Sequence, residues 1–278
     1  MAINLTTKYA STIEKLYTHT SFLRAHCKAN VEMTGAKTCR VYMLNTTPVV
    51  DYTRNGNSRY GEVKDVQDTV VEYMMTQDKS FTGVVDKGDE SEQAISNKSG
   101  QWLRQQIAEQ CVPTGDKYGF ARIAKLGHIT GVTAEPTKST IVTMVYDAAT
   151  YMDEHLVPEN GRVLFVRAKD YPKIILSDEW HGLDSLAGKQ LPTGTVGQIA
   201  GFTVVKVPSN MFPTDVYMVA AQESALAFPY RINDTKIHQD PPGISGALIE
   251  GRQTYDLFVL ASKADAVVVI GKDGSKQA

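Results

Sequence analysis

Extended segments on either side of a polar turn predict a two-stranded β-ribbon in the first third of the chain. Residues 38–50 and 68–77 are rich in the β-branched and aromatic side chains that strands favour. The intervening residues 54–61 contain Asn and Gly, which supply the positive φ angles of a hairpin tip. A ribbon without a third strand is only marginally stable by itself, so we expect it to lie on something else, and another subunit is one candidate.

A long helix is predicted to follow the ribbon. Asp89 and Glu90 stand where negative charges complement the dipole of a helix N-terminus. Apolar residues then recur with helical spacing until Pro113. These features predict a helix of about 22 residues, or about 33 Å, with one polar face.

The rest of the chain has an α/β pattern. An amphipathic helix is predicted to start at Thr137 or Ser139 and to end before Pro158, with Leu156 on its apolar stripe. Strands are predicted at 162–167, 202–207 and 216–221, a closing pair of strands at 247–260 and 265–270, short helices at 172–176 and 224–228, and a long glycine-rich loop at 177–198.

Composition excludes several classes of protein. Of 278 residues, 42% are hydrophobic and 22% are charged, which excludes wholesale disorder. No apolar run approaches the ~18 residues of a membrane span, and no export signal is visible at the N-terminus. Cys27, Cys39 and Cys111 cannot all pair with each other and lack metal-site spacing, which suits a reducing cytoplasm.

Charge is unevenly distributed. The whole chain has a formal charge of −2, whereas its first forty residues carry +4. A basic N-terminal arm often faces a polyanion, and a solvated amphipathic segment explains the same pattern equally well.

A search for catalytic motifs returns nothing specific. The sequence contains no HExxH, CxxC, GxSxG or GxGxxG. Residues 182–190 resemble a phosphate-binding loop, but the glycine spacing is wrong and a surface loop is the better interpretation. We therefore assign no catalytic residue, no cofactor and no metal. An enzyme built from residues 126–245, a small hydrolase or transferase without a recognisable motif, remains an alternative.

The order of these segments resembles the major capsid protein of tailed bacteriophages, whose fold is shared with encapsulins and the floor of herpesvirus shells. Residues 77–92 are similar to the end of the extended loop and the entry into the spine helix of that family. Residues 112–124 look like the exit from the helix into the peripheral domain, and residues 161–166, 197–207 and 254–260 look like strands of the axial and peripheral domains.

The resemblance implies an α+β fold with five parts. These are an N-terminal arm (1–37), an extended loop or β-ribbon (38–88), the spine helix with the first part of the peripheral domain (89–125), the axial domain (126–244), and the second part of the peripheral domain (245–278).

The resemblance also implies a function: a subunit that self-assembles into hexamers and pentamers of an icosahedral phage head around double-stranded DNA. It implies a virion protein assembled in the cytoplasm of the host bacterium, with a portal and a separate scaffolding protein as partners and no membrane contact. An encapsulin-like nanocompartment and a tail or connector component are the alternatives. Residues expected at subunit interfaces are Tyr52, Arg54, Arg59, Tyr60, Asp86, Asp89 and Glu90. Residues expected to face the lumen or the DNA are Lys8, Lys15, Arg24, Lys28 and Arg104.

Some members of the family form covalent Lys–Asn links between subunits, which require an Asn in the peripheral domain. Residues 113–125 and 244–278 contain no Asn. We therefore expect a shell without cross-links.

Overall fold

Four β-sheets and a long helical rod organise the computed structural model of the chain. The structure describes residues 21–35, 37–44, 46–55, 59–62, 65, 68–86, 92–177 and 195–272. The helices are α1 (Glu92–Gln106), α2 (Val112–Leu126), α3 (Ile141–Glu154) and α4 (Tyr171–Ile175). The strands are β1 (Glu32–Met33), β2 (Thr38–Leu44), β3 (Asp68–Met74), β4 (Gln77–Asp86), β5 (His128–Val132), β6 (Arg162–Arg167), β7 (Thr195–Ile199), β8 (Phe202–Val207), β9 (Val216–Gln222), β10 (Leu226–Ala227), β11 (Tyr230–Gln239), β12 (Gly246–Tyr255), β13 (Phe258–Val259) and β14 (Val267–Lys272).

The helical rod is longer than the sequence predicts. A π-helical turn, Ile107–Cys111, joins α1 directly to α2, so the chain stays helical from residue 92 to residue 126. The prediction that the helix ends at Pro113 is wrong. Pro113 lies in the first turn of α2, where its missing N–H and fixed φ are tolerated.

The main hydrophobic core lies on both faces of a six-stranded mixed sheet in the order β5-β14-β9-β6-β8-β7. Strand β6 was predicted, and every one of its residues is buried. Val163 and Phe165 belong to the cluster that α2 completes, whereas Leu164 and Val166 belong to the cluster that α3 completes. A strand covered on both faces has to be almost continuously apolar, as this one is.

A three-stranded antiparallel sheet, β11-β12-β4, packs against the first half of the rod. Strand β4 pairs with β12 over ten residue pairs. The Phe81 ring covers Gly251 on the facing strand, and Trp102 of α1 covers Gly83. Residues 77–86, which the sequence analysis placed in the extended loop, are therefore part of this sheet.

The predicted ribbon is present as the antiparallel pair β2–β3, in which Val41 lies opposite Val71. Its strands are shorter than predicted, because β2 ends at Leu44 and residues 46–50 are not part of a strand. The short strand β1 pairs with the other edge of β2, so the ribbon sheet has three strands. At its root, Cys39 and Met75 pack with Ala227 and Phe258 in a small separate hydrophobic cluster.

The predicted closing pair of strands is wrong. Strand β12 pairs with β4 and β11, whereas β14 lies between β5 and β9 in the six-stranded sheet. A domain boundary at residue 245 consequently separates β14 from its own sheet and β11 from β12.

Three smaller predictions also need correction. Helix α3 has Thr140 as its N-cap residue, and neither Thr137 nor Ser139 takes that position. Leu156 has a positive φ and is 90% exposed, so it does not belong to the apolar stripe. The predicted helix at 224–228 is a 3-10 turn, Glu223–Ala225, followed by β10. The phosphate-loop-like segment 182–190 lies outside the described residues.

No helix in the described part of the chain combines the length and the apolar character needed to cross a membrane.

Candidate assembly surfaces

One face of the ribbon has no covering structure among the described residues. The apolar side chains of this face are Tyr42, Val70 and Met74, which are 56%, 43% and 69% exposed. The same face carries a cross-strand ion pair between Arg40 and Glu72, at 2.6 Å. The opposite face contains the buried Cys39 and Val41. The ribbon region carries more exposed large hydrophobic side chains than any other described part of the chain, namely Met33, Tyr42, Val49, Val50, Tyr52, Tyr60, Val70 and Met74.

Four of the predicted interface residues lie together at the ribbon tip. The rings of Tyr52 and Tyr60 meet edge to face at 5.1 Å, and the amide of Thr53 donates to the carbonyl of Arg59 over 3.2 Å. Arg54 is exposed beside them. Gly61, which directly follows the tip, has a φ of +84° that favours glycine. The tip therefore presents two aromatic rings and two arginines.

The other predicted interface residues lie elsewhere. Asp86 is exposed at the end of β4, where it lies opposite Gly246 on β12. It therefore belongs to the β11-β12-β4 sheet and not to the ribbon. Asp89 and Glu90 lie outside the described residues.

A buried carboxylate fixes the ribbon to the body. Asp256 is completely buried between β12 and β13. Its Oδ2 accepts hydrogen bonds from the amide and hydroxyl of Thr76, at 2.9 and 2.7 Å, and its Oδ1 accepts from the Tyr118 hydroxyl and the Leu257 amide, at 2.9 and 2.7 Å. Thr76 stands between β3 and β4, and Tyr118 is on α2. One side chain thus joins the ribbon root, the rod and the β12–β13 turn.

A second carboxylate braces the same region from the solvent side. Asp78 accepts hydrogen bonds from Arg252, with Nε at 2.7 Å from Oδ1, and its Oδ2 lies 2.7 Å from Lys37 Nζ. These hydrogen bonds, first from Arg252 and then from Lys37, hold the pKa of Asp78 far below its ordinary value. Lys37 precedes β2 and Arg252 lies on β12, so the brace connects the ribbon to the three-stranded sheet.

The segment 21–29 forms a strap across α2. Asp116 of α2 is buried and accepts hydrogen bonds from the Ser21 hydroxyl at 2.6 Å and the Phe22 amide at 2.8 Å. Leu23 is fully buried in the core beside Gly119. Burial raises the pKa of Asp116, and these hydrogen bonds offset part of that effect. The strap is consequently part of the folded body.

The strap also places the basic residues that the sequence analysis assigned to DNA. Lys28 Nζ lies 2.6 Å from Glu223, so this cation is already paired. Arg24 stacks over the ring of Tyr230 at 4.4 Å. Arg104 is exposed on α1, away from the strap, whereas Lys8 and Lys15 lie outside the described residues. Among the described residues, Arg24, Lys28 and Arg104 contact different partners and do not form one cluster.

No group of three or more His, Cys, Asp or Glu side chains in the described residues could hold a metal ion. Burial raises the pKa of the Cys27 thiol, which keeps it protonated and unreactive. His155 lies at the end of α3 with Nδ1 2.7 Å from the Tyr151 carbonyl.

Solved phage capsid structures share this architecture over nearly the whole chain. Cyanophage P-SCSP1u capsid superposes with a TM-score of 0.66 at 13% identity, covering 96% of this chain and 92% of that one. The mature capsid of bacteriophage PhiM1 gives 0.67 at 12% identity, with the same coverage of 96% and 92%. The chain has the fold of phage capsid proteins. A chain of Mycobacterium phage Che8 is also similar, with a TM-score of 0.65, 19% identity and coverage of 97% and 98%. No protein-family model and no curated protein matches the sequence.

The capsid fold confirms the predicted α+β class and gives the elements their names. Following the names that the resemblance implied, we call the β2–β3 ribbon the extended loop and α1 with α2 the spine helix. Sequence reasoning missed Thr76, Asp78 and Asp256, the residues that attach the extended loop to the spine helix and the adjoining sheet. Their hydrogen-bond partners are up to 180 residues away along the sequence, so no local sequence pattern indicates them.

Proposed function

We propose that this protein is a structural subunit that self-assembles into the hexamers and pentamers of an icosahedral phage head enclosing double-stranded DNA. Its location is then the virion, after assembly in the cytoplasm of the host bacterium. The observation that carries the proposal is a capsid fold over nearly the whole chain combined with an extended loop whose apolar face is exposed in the single chain.

The uncovered face of the extended loop argues for contact with a second copy. Tyr42, Val70 and Met74 together form an apolar strip around an ion pair on a narrow sheet. Exposed strips of this kind mark interaction sites, and a thin sheet gains stability when its second face is covered. Rings such as hexamers and pentamers are built from heterologous contacts, in which one surface of a subunit meets a different surface of the next. The proposal therefore assigns to the uncovered face a partner surface elsewhere on the neighbouring copy.

The sheet pairing supports a revised domain division. The arm is kept as 1–37, with residues 21–29 packed on the body as the strap and β1 paired with β2 in the ribbon sheet. The peripheral domain then combines β4, β11 and β12 with the first half of the rod, and the axial domain combines β5 to β9 with α3 and β14. The interface role of Tyr52, Arg54, Arg59, Tyr60, Asp86, Asp89 and Glu90 is retained as a proposal, as are the portal and a separate scaffolding protein as partners.

A structural role without catalysis fits the described residues better than the alternatives. Their buried carboxylates, Asp116, Asp170 and Asp256, are all engaged by hydrogen bonds or ion pairs within the subunit. A hydrolase or transferase needs a nucleophile or an acid–base pair that is accessible to a substrate.

Size-exclusion chromatography followed by negative-stain electron microscopy of the expressed chain tests the proposal. We expect closed shells or hexamer and pentamer rings. Deletion of residues 55–60 should leave a folded subunit that does not assemble, and Met74→Asp should have the same effect. Leu156→Asp, a charge at an exposed apolar residue outside the extended loop, is the matched control and should assemble.

Normal shells from both loop variants would contradict the role of the loop. Tubes, or rings with a subunit number other than five or six, would favour a tail or connector component. A covalent ladder on a denaturing gel of mature particles would contradict the expected absence of cross-links.

A further inference from the structure

Two adjacent methionines at the root of the ribbon lie on opposite faces of its sheet. Met74, the last residue of β3, lies opposite Thr38 on the uncovered face and is 69% exposed. Met75 is 2% exposed and packs with Cys39 in the hydrophobic cluster at the ribbon root. Neighbouring residues of an extended chain face opposite sides. One methionine side chain is therefore open to solvent, whereas the next one along the chain is enclosed.

Met74 differs from the other described methionines in its exposure and in its position. Met33 is the next most exposed, at 41%, but it lies opposite Cys39 and so belongs to the other face of the ribbon sheet. The remaining described methionines are buried or half-buried, namely Met43, Met144, Met152, Met211 and Met218. Within the described chain, the uncovered apolar strip of the ribbon thus contains a single thioether.

Thiols do not compete with this thioether for an oxidant. Cys39 and Cys111 are buried, and burial raises the pKa of both thiols and of the Cys27 thiol. The thiolate is the form that peroxides attack, so these three side chains are held in their unreactive form. A thioether does not ionise, and its oxidation depends on access to the sulfur. Access favours Met74.

We propose that Met74 is a reversible oxidation site that controls the contact made by the extended loop. The inference rests on the proposed function, because it takes the uncovered face to meet a second copy. A peroxide transfers one oxygen atom to the Met74 sulfur: an S–O bond forms, the O–O bond breaks, the sulfur is oxidised by two electrons, and the leaving oxygen departs as water or an alcohol. A methionine sulfoxide reductase removes the oxygen as water while a dithiol is oxidised to a disulfide.

Oxidation of Met74 changes the chemistry of the contact and leaves the fold of the subunit unchanged. In the single chain the side chain is solvated, so a polar oxygen on the sulfur carries little cost. In the contact the same oxygen interrupts the apolar strip that Met74 forms with Tyr42 and Val70. Burying a polar group without a partner there weakens association about tenfold to a hundredfold. Oxidised subunits should therefore stay folded and fail to assemble at concentrations at which untreated subunits assemble.

The test treats unassembled subunits of the full chain with hydrogen peroxide, removes the peroxide and then allows assembly. Tandem mass spectrometry measures the sulfoxide at Met74 and at Met75, and negative-stain electron microscopy detects particles. Met74→Leu keeps an apolar side chain of similar volume that cannot be oxidised. Met33→Leu removes the other exposed methionine and is the matched control.

We expect Met74 to be oxidised several-fold faster than Met75, because only the first is accessible. Peroxide should abolish assembly of the original chain and of Met33→Leu, whereas Met74→Leu should assemble after the same treatment. Incubation of the oxidised original chain with a methionine sulfoxide reductase and dithiothreitol should restore particles.

Normal assembly of a chain that carries the sulfoxide at Met74 would overturn the proposal and leave the shell intact. Loss of assembly in peroxide-treated Met74→Leu would also overturn it, because another site would then carry the effect. Equal rates of oxidation at Met74 and Met75 would contradict the selectivity on which the proposal depends. An untreated chain that never forms particles would reject the proposed function, and the control of assembly by Met74 with it.

Discussion

Replacing Asp256 with asparagine tests whether one buried carboxylate holds the extended loop to the body. The two oxygens of Asp256 each accept two hydrogen bonds, from Thr76 on one side and from Tyr118 and Leu257 on the other. Asparagine has the same shape but turns one oxygen into an NH₂ group, which faces two donors. A hydroxyl can rotate to accept, whereas a backbone amide cannot.

The magnitude follows from the number of donors left without an acceptor. An unsatisfied buried donor costs about 1–3 kcal/mol, and bonds to a charged acceptor are about 1.5–3 kcal/mol each. Losing one backbone bond and weakening another gives about 2–4 kcal/mol for Asp256→Asn. Thr76→Val and Tyr118→Phe each remove one hydroxyl donor and leave the carboxylate. Because both hydroxyl bonds are only partly buried, water can replace the lost donor, so we expect the lower figure of an ordinary hydrogen bond, about 0.5–1.5 kcal/mol for each.

Guanidinium unfolding of the unassembled subunit, followed by tryptophan fluorescence, measures these differences. Hydrogen exchange at the Thr76 amide gives a local readout, and this amide should exchange faster in Asp256→Asn than in Tyr118→Phe. A free energy of unfolding within about 0.5 kcal/mol of the original would refute the reasoning. So would a Tyr118→Phe variant as destabilised as Asp256→Asn, because the hydroxyl and not the carboxylate would then carry the effect.

Two further predictions concern glycine packing and pH. Gly251→Ala should destabilise the subunit by about 1–3 kcal/mol through overpacking, because its Cβ would lie 2.2 Å from the Phe81 ring; Gly100→Ala, in a helix with open space around the site, should stabilise it by about 0.5–1 kcal/mol. Chemical unfolding measures both changes. Changes in unfolding free energy of the same sign for the two variants would contradict the packing described for Gly251. Burial opposes the charge of Glu223, but hydrogen bonds from the lysine and histidine of the strap outweigh it and keep its pKa below the ordinary value of 4.5. The stabilisation by the Glu223 carboxylate is therefore present above that value and lost as the pH falls through the lowered pKa. The difference in unfolding free energy between the original and Glu223→Gln should be constant near pH 7 and shrink below about pH 4.5. A difference that is the same at pH 3 and pH 7 would exclude this linkage.

Local sequence patterns predicted those elements that are determined by residues close together in the chain. The ribbon follows from two β-branched runs around an Asn-Gly turn, and β6 follows from an unbroken apolar run. Helix α3 follows from its apolar stripe, with an error of a few residues at its ends.

The missed features depend on distant partners. Strand β4 does alternate, with Phe81, Gly83 and Val85 towards α1, but the middle position is a glycine that Trp102 covers from another element. The rod continues past Pro113 because a π turn precedes it, and that turn leaves no simple signature in the sequence. The sequence predicted only that the ribbon has to lie on another structure. The register of β2 and β3 was needed to identify the residues of its uncovered face.

The central place of β14 has a consequence for how the subunit folds during translation. Strand β5 joins the six-stranded sheet only through β14, and β14 also completes one edge of β9. A ribosome adding about 5–20 residues per second needs about 3–10 s to travel from the end of β9 to the end of β14. During that interval β9 has an unpaired edge and β5 has no partner, which is the state in which nascent chains are most prone to associate wrongly. We therefore expect early recognition of this chain by chaperones to act on residues 128–222, before residue 272 has been made.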